Sequence, residues 1–154
     1  MDTMCSPRTS ARTAPRIAAR RDAPARAKQR PLVAVVDDDR AVVNSLEFAL
    51  GTEGYRVAAY FSAQAYLDHA ETGVDCLVVD VRLPGMDGIQ LLEELRRRGP
   101  VPPHILIASN PGRRCRDWAA AKSVPLVEKP FLDGALTERI KAAILESLND
   151  RAGV

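Results

Sequence analysis

The chain has few of the residues that build covalent or metal-bound frameworks. Its three cysteines, Cys5, Cys76 and Cys115, are widely spaced and odd in number. None forms a CxxC pair or a Cys/His cluster, so neither a disulfide scaffold nor a zinc site is expected. A reducing, cytosolic setting suits such thiols best. Long hydrophobic runs are also missing. No stretch approaches the roughly 18 consecutive apolar residues of a membrane-spanning helix, and the opening residues lack the apolar segment of a secretory signal. Nor does charge of one sign dominate: 22 basic residues face 20 acidic ones, a net charge of +2.

What is present fits one ordinary globular domain. The 154 residues can bury a sizeable core without staples. Apolar residues at 46% and charged residues at 27% are average for a soluble protein.

The balanced charge hides a split. Residues 1–30 hold eight basic side chains and two acidic ones, a net of +6, which leaves 14 basic and 18 acidic, a net of −4, in residues 31–154. The first segment is mostly Ala, Arg, Pro, Ser and Thr, with Ile17 its only branched aliphatic residue and no aromatic. It cannot bury enough apolar surface to offset its ordering entropy and is read as a disordered basic extension. Three uses are open to it: a leader without function, a weak electrostatic contact with nucleic acid or acidic lipid, or an organellar transit peptide. Pro7, Pro15 and Pro24 break any long amphipathic helix and weigh against the last.

From Leu32 onward, short apolar runs alternate with amphipathic segments, the pattern of a βα repeat with a parallel sheet. Strands are expected at Leu32–Val36, Tyr55–Tyr60, Cys76–Val79, Ile105–Ala108 and Pro125–Val127. Helices are expected between them, the first on Val42, Val43, Leu46, Ala49 and Leu50, and the last on Leu136, Ile140, Ala143, Ile144 and Leu148. Ser62, Asp39 and Asp87 stand where helix caps are needed.

In such sheets functional groups gather at the carboxyl ends of the strands. The first strand ends in Asp37-Asp38-Asp39, the third in Asp80, the fourth in Ala108-Ser109-Asn110 and the fifth in Lys129-Pro130. Converging carboxylates repel one another, and a divalent cation is the usual remedy. All-oxygen ligands favour a hard ion, Mg2+ before Ca2+. A carboxylate beside a metal and a lysine can act as a nucleophile toward phosphorus, with the two cations neutralising the transferred oxygens.

Three motifs carry a resemblance to a known family: Val35-Val36-Asp37-Asp38-Asp39, Val78-Val79-Asp80-Val81-Arg82-Leu83-Pro84-Gly85-Met86-Asp87-Gly88, and Val127-Glu128-Lys129-Pro130-Phe131. Over residues 31–150 the chain resembles the receiver domain of bacterial two-component response regulators. The resemblance implies a flavodoxin-like, five-stranded parallel sheet of order 2-1-3-4-5 with five helices. It implies Asp80 as phosphoacceptor and Lys129 as the phosphoryl contact. It also implies Mg2+ held by Asp37, Asp38, Asp80 and the backbone carbonyl of Arg82, and a cis bond before Pro130.

The chain departs from the family at two switch positions. Receivers place Thr or Ser at the end of strand four; here it is Ala108, with Ser109 following. They place an aromatic ring three residues before the lysine; here it is Leu126. The chemistry needs neither, but the coupling of phosphorylation to shape does. Asp80 is therefore expected to accept a phosphoryl group with a weak or rewired response.

The expected protein is a cytoplasmic, bacterial, stand-alone receiver. It would be phosphorylated by a sensor histidine kinase or phosphotransfer protein, and would act on a further protein through contacts, with no DNA-binding domain and no membrane span. Two rivals remain at this level. One is a phosphorylation-independent binding module on the same fold. The other is a phosphatase of the haloacid dehalogenase type, whose DxD spacing Asp37-x-Asp39 also meets.

Overall fold

The computed structural model describes residues 30–131 and 133–153. The expected basic extension lies outside them, apart from Arg30. Ten elements alternate along the chain: β1 (Leu32–Val36), α1 (Arg40–Thr52), β2 (Arg56–Tyr60), α2 (Ala63–His69), β3 (Cys76–Asp80), α3 (Gly88–Arg98), β4 (His104–Ala108), α4 (Arg113–Ala121), β5 (Leu126–Glu128) and α5 (Ala135–Ala152). All strand pairs are parallel and the order is β2-β1-β3-β4-β5, as expected.

β1 and β3 are buried on both faces, which is why their sequences are continuously apolar and not alternating. Successive side chains still point to opposite sides. Val33, Val35, Val78, Ile105 and Ile107 pack under α1 and α5 against Val43, Leu46, Leu50, Leu136 and Ile140. Ala34, Val36, Leu77, Val79 and Leu106 pack on the other side against Tyr66, Leu91, Leu92 and Ala119. Each fully buried Leu or Ile contributes about 1.5–3 kcal/mol relative to exposure.

Local chemistry sets the helix starts. Asp39 accepts from the backbone N–H of Ala41 at 2.9 Å at the head of α1. The Ser62 hydroxyl accepts from Ala65 N at 3.0 Å and caps α2. Asp87 and Gln90 form a reciprocal capping box at α3 (2.8 and 3.0 Å). These caps bring each helix down directly onto the carboxyl edge of the sheet.

Several boundaries move by a residue. β5 runs from Leu126 to Glu128, β4 starts at His104 and β2 at Arg56. Two positions expected on buried helix faces are not buried, and the first is Leu148, 48% exposed. α5 has 18 residues, about 27 Å of helix, and overruns strands about 17 Å long. Its last turns have no sheet beneath them. Ala49, expected on the buried face of α1, is also exposed.

Candidate functional site

The carboxyl edge of β1, β3 and β5 brings Asp37, Asp38, Asp80 and Lys129 together. Asp37 is fully buried and Asp80 is 5% exposed; they are the two buried polar residues among those described. Asp38, next to Asp37, points to solvent. One carboxylate oxygen from each of Asp37, Asp38 and Asp80 lies within 4.8 Å of the others.

Each buried carboxylate is held by named donors. Asp37 accepts from Asp39 N at 2.9 Å and from Lys129 Nζ at 2.7 Å, while its own N–H donates to Tyr60 O on β2 at 3.0 Å. Asp80 accepts from Arg82 N at 3.3 Å and from Lys129 Nζ at 3.3 Å. One ammonium therefore spans two carboxylates, and it stands closer to Asp37. The sequence placed Lys129 beside Asp80 but gave no sign of this preference, because the contact depends on side-chain reach across the sheet.

Burial raises the pKa of Asp80 above the usual carboxylate range. The charge of Asp37 adds to the rise, while Lys129 and the Arg82 N–H oppose it. Burial alone would lower Lys129, but the hydrogen bond to Asp37 and the charges of Asp80 and Asp37 outweigh it and raise the group. Lys129 stays cationic in this pocket.

The loops around these groups are shaped for close approach. The bond between Lys129 and Pro130 is cis, as the resemblance implied. Gly85 takes a left-handed φ of +74, so the chain turns away from Asp80 with a residue that has no Cβ to strain. Gly88, at the start of α3, lies against the backbone of Asp80. Beside Lys129, a cavity of about 610 Å³ opens between α1 and the segment joining β5 to α5. Its walls include Val42, Ser109, Lys129, Phe131 and Thr137.

Ala108, Ser109 and Leu126 take up definite places. Ala108 ends β4, is 2% exposed and accepts from Lys129 N at 2.9 Å. Ser109, the next residue, is exposed and faces the cavity. Leu126 opens β5 and packs, half-buried, on the core between the sheet and α2–α4.

α4 is tied on two sides. Arg116 pairs with Glu128 of β5 and also donates to Pro111 O at 3.2 Å. The Trp118 ring is half-buried, with its Nε1–H on Glu93 of α3 at 3.0 Å and Arg96 over the ring at 5.5 Å. These partners lie on other elements at no regular sequence spacing.

Comparison with known proteins gives a consistent picture. A family model described as response regulator receiver domain matches residues 33–141. The chain is 42% identical over 118 residues to the transcriptional regulatory protein FixJ of Bradyrhizobium diazoefficiens, covering 73% of this chain and 56% of that protein. It is 37% identical over 117 residues to the transcriptional regulatory protein PrrA of Mycobacterium leprae, covering 74% and 50%. The chain thus spans about half the length of the curated relatives it matches. Among solved structures, FixJ-N superposes with a TM-score of 0.68 at 32% identity, covering 76% of this chain and 95% of that one. A CheY-like receiver domain protein of Methanospirillum hungatei gives a TM-score of 0.71 at 25% identity, covering 79% and 98%.

Proposed function

The chain belongs to the response regulator receiver domain family, and on that footing we propose that Asp80 accepts a phosphoryl group from a histidine kinase, a phosphotransfer protein or a small phosphodonor. The observation that carries the reading is the bridge from Lys129 to both Asp37 and Asp80 (2.7 and 3.3 Å) beside a third carboxylate, Asp38, within 4.8 Å.

Three carboxylates against one ammonium leave this edge with an excess of two negative charges. The donor set is oxygen only, which suits a hard divalent cation that keeps some of its water. Mg2+ fits it. Asp38, Asp80 and the Arg82 carbonyl would hold the ion, with Asp37 behind them, and the ion would neutralise charge on the phosphoryl oxygens. The chain's own groups do the rest. A carboxylate oxygen of Asp80 attacks phosphorus, the bond from phosphorus to the donor nitrogen or acyl oxygen breaks, and the electron pair leaves with the donor. Lys129 turns its ammonium onto a phosphoryl oxygen and balances the charge developing there. Asp37, held by Asp39 N, keeps the lysine at the edge of the sheet.

FixJ and PrrA are transcriptional regulatory proteins; the output of this chain is proposed to run through contacts with another protein. No helix among the described residues is long and apolar enough to cross a membrane.

The test is incubation with acetyl phosphate and Mg2+, followed by phosphate-affinity gel electrophoresis. A retarded band is expected for the wild type and no retardation for Asp80→Asn. An unshifted wild type, still able to capture its partner, would favour the phosphorylation-independent binding module instead.

A further inference from the structure

His104 opens β4 at the amino edge of the sheet, the pole opposite Asp80, and is half-buried there. Its Nδ1 lies 2.9 Å from the Pro102 carbonyl oxygen, and its Nε2 lies 3.2 Å from Nη2 of Arg96 on α3. A carbonyl only accepts and a guanidinium only donates. The ring is therefore neutral, with its proton on Nδ1 and its Nε2 lone pair taken by Arg96. The same guanidinium lies 5.5 Å from the centre of the Trp118 ring on α4. Trp118 in turn donates through Nε1–H to Glu93 of α3 at 3.0 Å. Contacts thus run from β4 through Arg96 to α4, and from α4 back to α3 through Glu93.

One of these contacts needs a neutral ring. When Nε2 takes a proton from solvent, it turns from acceptor to donor and meets Arg96 as a second cation. The Nδ1–H stays on Pro102, so the ring has no other nitrogen to offer. Room and counter-charge for the new state are beside it. A cavity of about 510 Å³ is faced by His104 and Arg96, by Lys122 at the end of α4, and by Glu146 and Asp150 of α5. The two carboxylates offset the imidazolium, while Lys122 adds to the repulsion on Arg96. Arg96 also has a place to go. Glu93 stands three residues before it, on the same face of α3, and among the described residues neither of them makes an ion pair.

We propose that protonation of His104 sends Arg96 to Glu93 and frees Trp118 from both, so that α4 loosens from α3 as pH falls. The ligand is the proton, and the latch it opens lies away from the phosphoacceptor edge. β5 keeps its own hold on α4 through Arg116 and Glu128, so the release is confined to the α3 side. Burial lowers the pKa of His104; the bond to Pro102 opposes this and the charge of Arg96 adds to it. Opening therefore falls below the ordinary histidine value of about 6.5. No step involves Asp80, so the latch stands whether or not Asp80 accepts a phosphoryl group.

Trp118 is the only tryptophan of the chain and His104 one of two histidines, so intrinsic fluorescence reads the latch directly. Emission is followed from about pH 8 to about pH 5, across the histidine range, under excitation that spares tyrosine. Circular dichroism shows that the fold persists. The wild-type emission is expected to move to longer wavelength in one transition below about pH 6.5. In the acid form the indole N–H should exchange with deuterium about threefold faster than in His104→Gln at the same pH, the fold-change that one cation–π contact at a half-exposed ring supplies. His104→Gln keeps an acceptor for Arg96 and has nothing to titrate, so its emission should stay flat. Arg96→Met should be flat too, because the ring still takes its proton but has no cation to expel. A transition that survives His104→Gln belongs to another group, such as Glu146 or Asp150, and overturns the latch. A transition lost in His104→Gln but kept in Arg96→Met is direct quenching by the imidazolium and overturns it equally. A flat wild type does the same. If His104→Gln does not fold, wild type against Arg96→Met carries the test: a transition in both overturns the latch, and one in the wild type alone supports it.

Discussion

Gly88 lies so close to Asp80 that a β-carbon on it would stand 2.2 Å from the Asp80 carbonyl oxygen and 2.9 Å from its carbonyl carbon. The obstacle is backbone, which cannot rotate away. The Gly88 N–H in turn donates to Val81 O at 3.0 Å, so the start of α3 and the end of β3 form one rigid corner. Gly88→Ala is expected to lower stability by about 1–3 kcal/mol, the usual cost of overpacking, in a urea melt. It should also slow labelling of Asp80 at temperatures where circular dichroism shows the fold intact. Unchanged stability would mean that the corner yields and that the close contact is not required.

Among the described residues, Lys129 is the one cation that pairs with both buried carboxylates. Lys129→Met would leave Asp37 and Asp80 facing each other with no counter-charge, a loss of about 3 kcal/mol at neutral pH. The pH dependence has a definite sign. With the lysine gone, the folded-state carboxylate pKa rises further above its unfolded value, so its stabilising contribution is present below the unfolded value and disappears as pH rises. Thermal melts should therefore show the deficit against wild type shrinking on acidification toward pH 4. Asp37→Asn added to Lys129→Met should recover part of the loss at pH 7.

Much of this site was legible because it is written in short local motifs. The acids end apolar runs, and a parallel sheet must bring such ends to one edge, so Asp37, Asp80 and Lys129 meet although the lysine is 92 residues from Asp37. Caps were legible for the same reason: Ser62 and Asp87 act within three residues. The sequence failed where geometry crosses elements. Arg116 with Glu128, Arg40 with Phe61 and Trp118 with Glu93 join helices to a strand, a loop and another helix at no periodic spacing. Leu148 misled because helical spacing records which face a residue occupies, and not whether the sheet extends far enough to cover it.

His104 opens β4 with its Nδ1 on Pro102 O at 2.9 Å and its Nε2 3.2 Å from Arg96 Nη2. Arg96 can only donate, so the ring is neutral, protonated on Nδ1. Burial lowers its pKa; the bond to Pro102 opposes this, and the charge of Arg96 adds to the lowering. The histidine therefore contributes stability that is full above its ordinary value of about 6.5 and is lost as pH falls from there through the lowered folded-state value. Melting temperatures of wild type and His104→Gln should converge between pH 7.5 and 5.5. A constant gap over that range would show that the ring titrates as it does in the unfolded chain.

A shape change requires an interaction that differs between the two states. At the end of β4 the side chain is Ala108, with no hydroxyl to bond a phosphoryl oxygen. Ser109, one residue on, is exposed and lines the cavity beside Lys129. Leu126, already packed on the core, has no polar edge to turn in or out. α4 is meanwhile fastened to β5 through Arg116 and Glu128 and to α3 through Trp118 and Glu93. Beryllofluoride with Mg2+, which imitates the aspartyl phosphate, should shift the amide signals of Asp38, Asp80, Arg82 and Lys129. The signals of α4 and Leu126 should move little. Ala108→Thr with Leu126→Tyr should increase the shifts in α4, and Arg116→Ala, which unfastens it, should increase them further. Large shifts across α4 and β5 in the wild type would show that another contact replaces the missing hydroxyl.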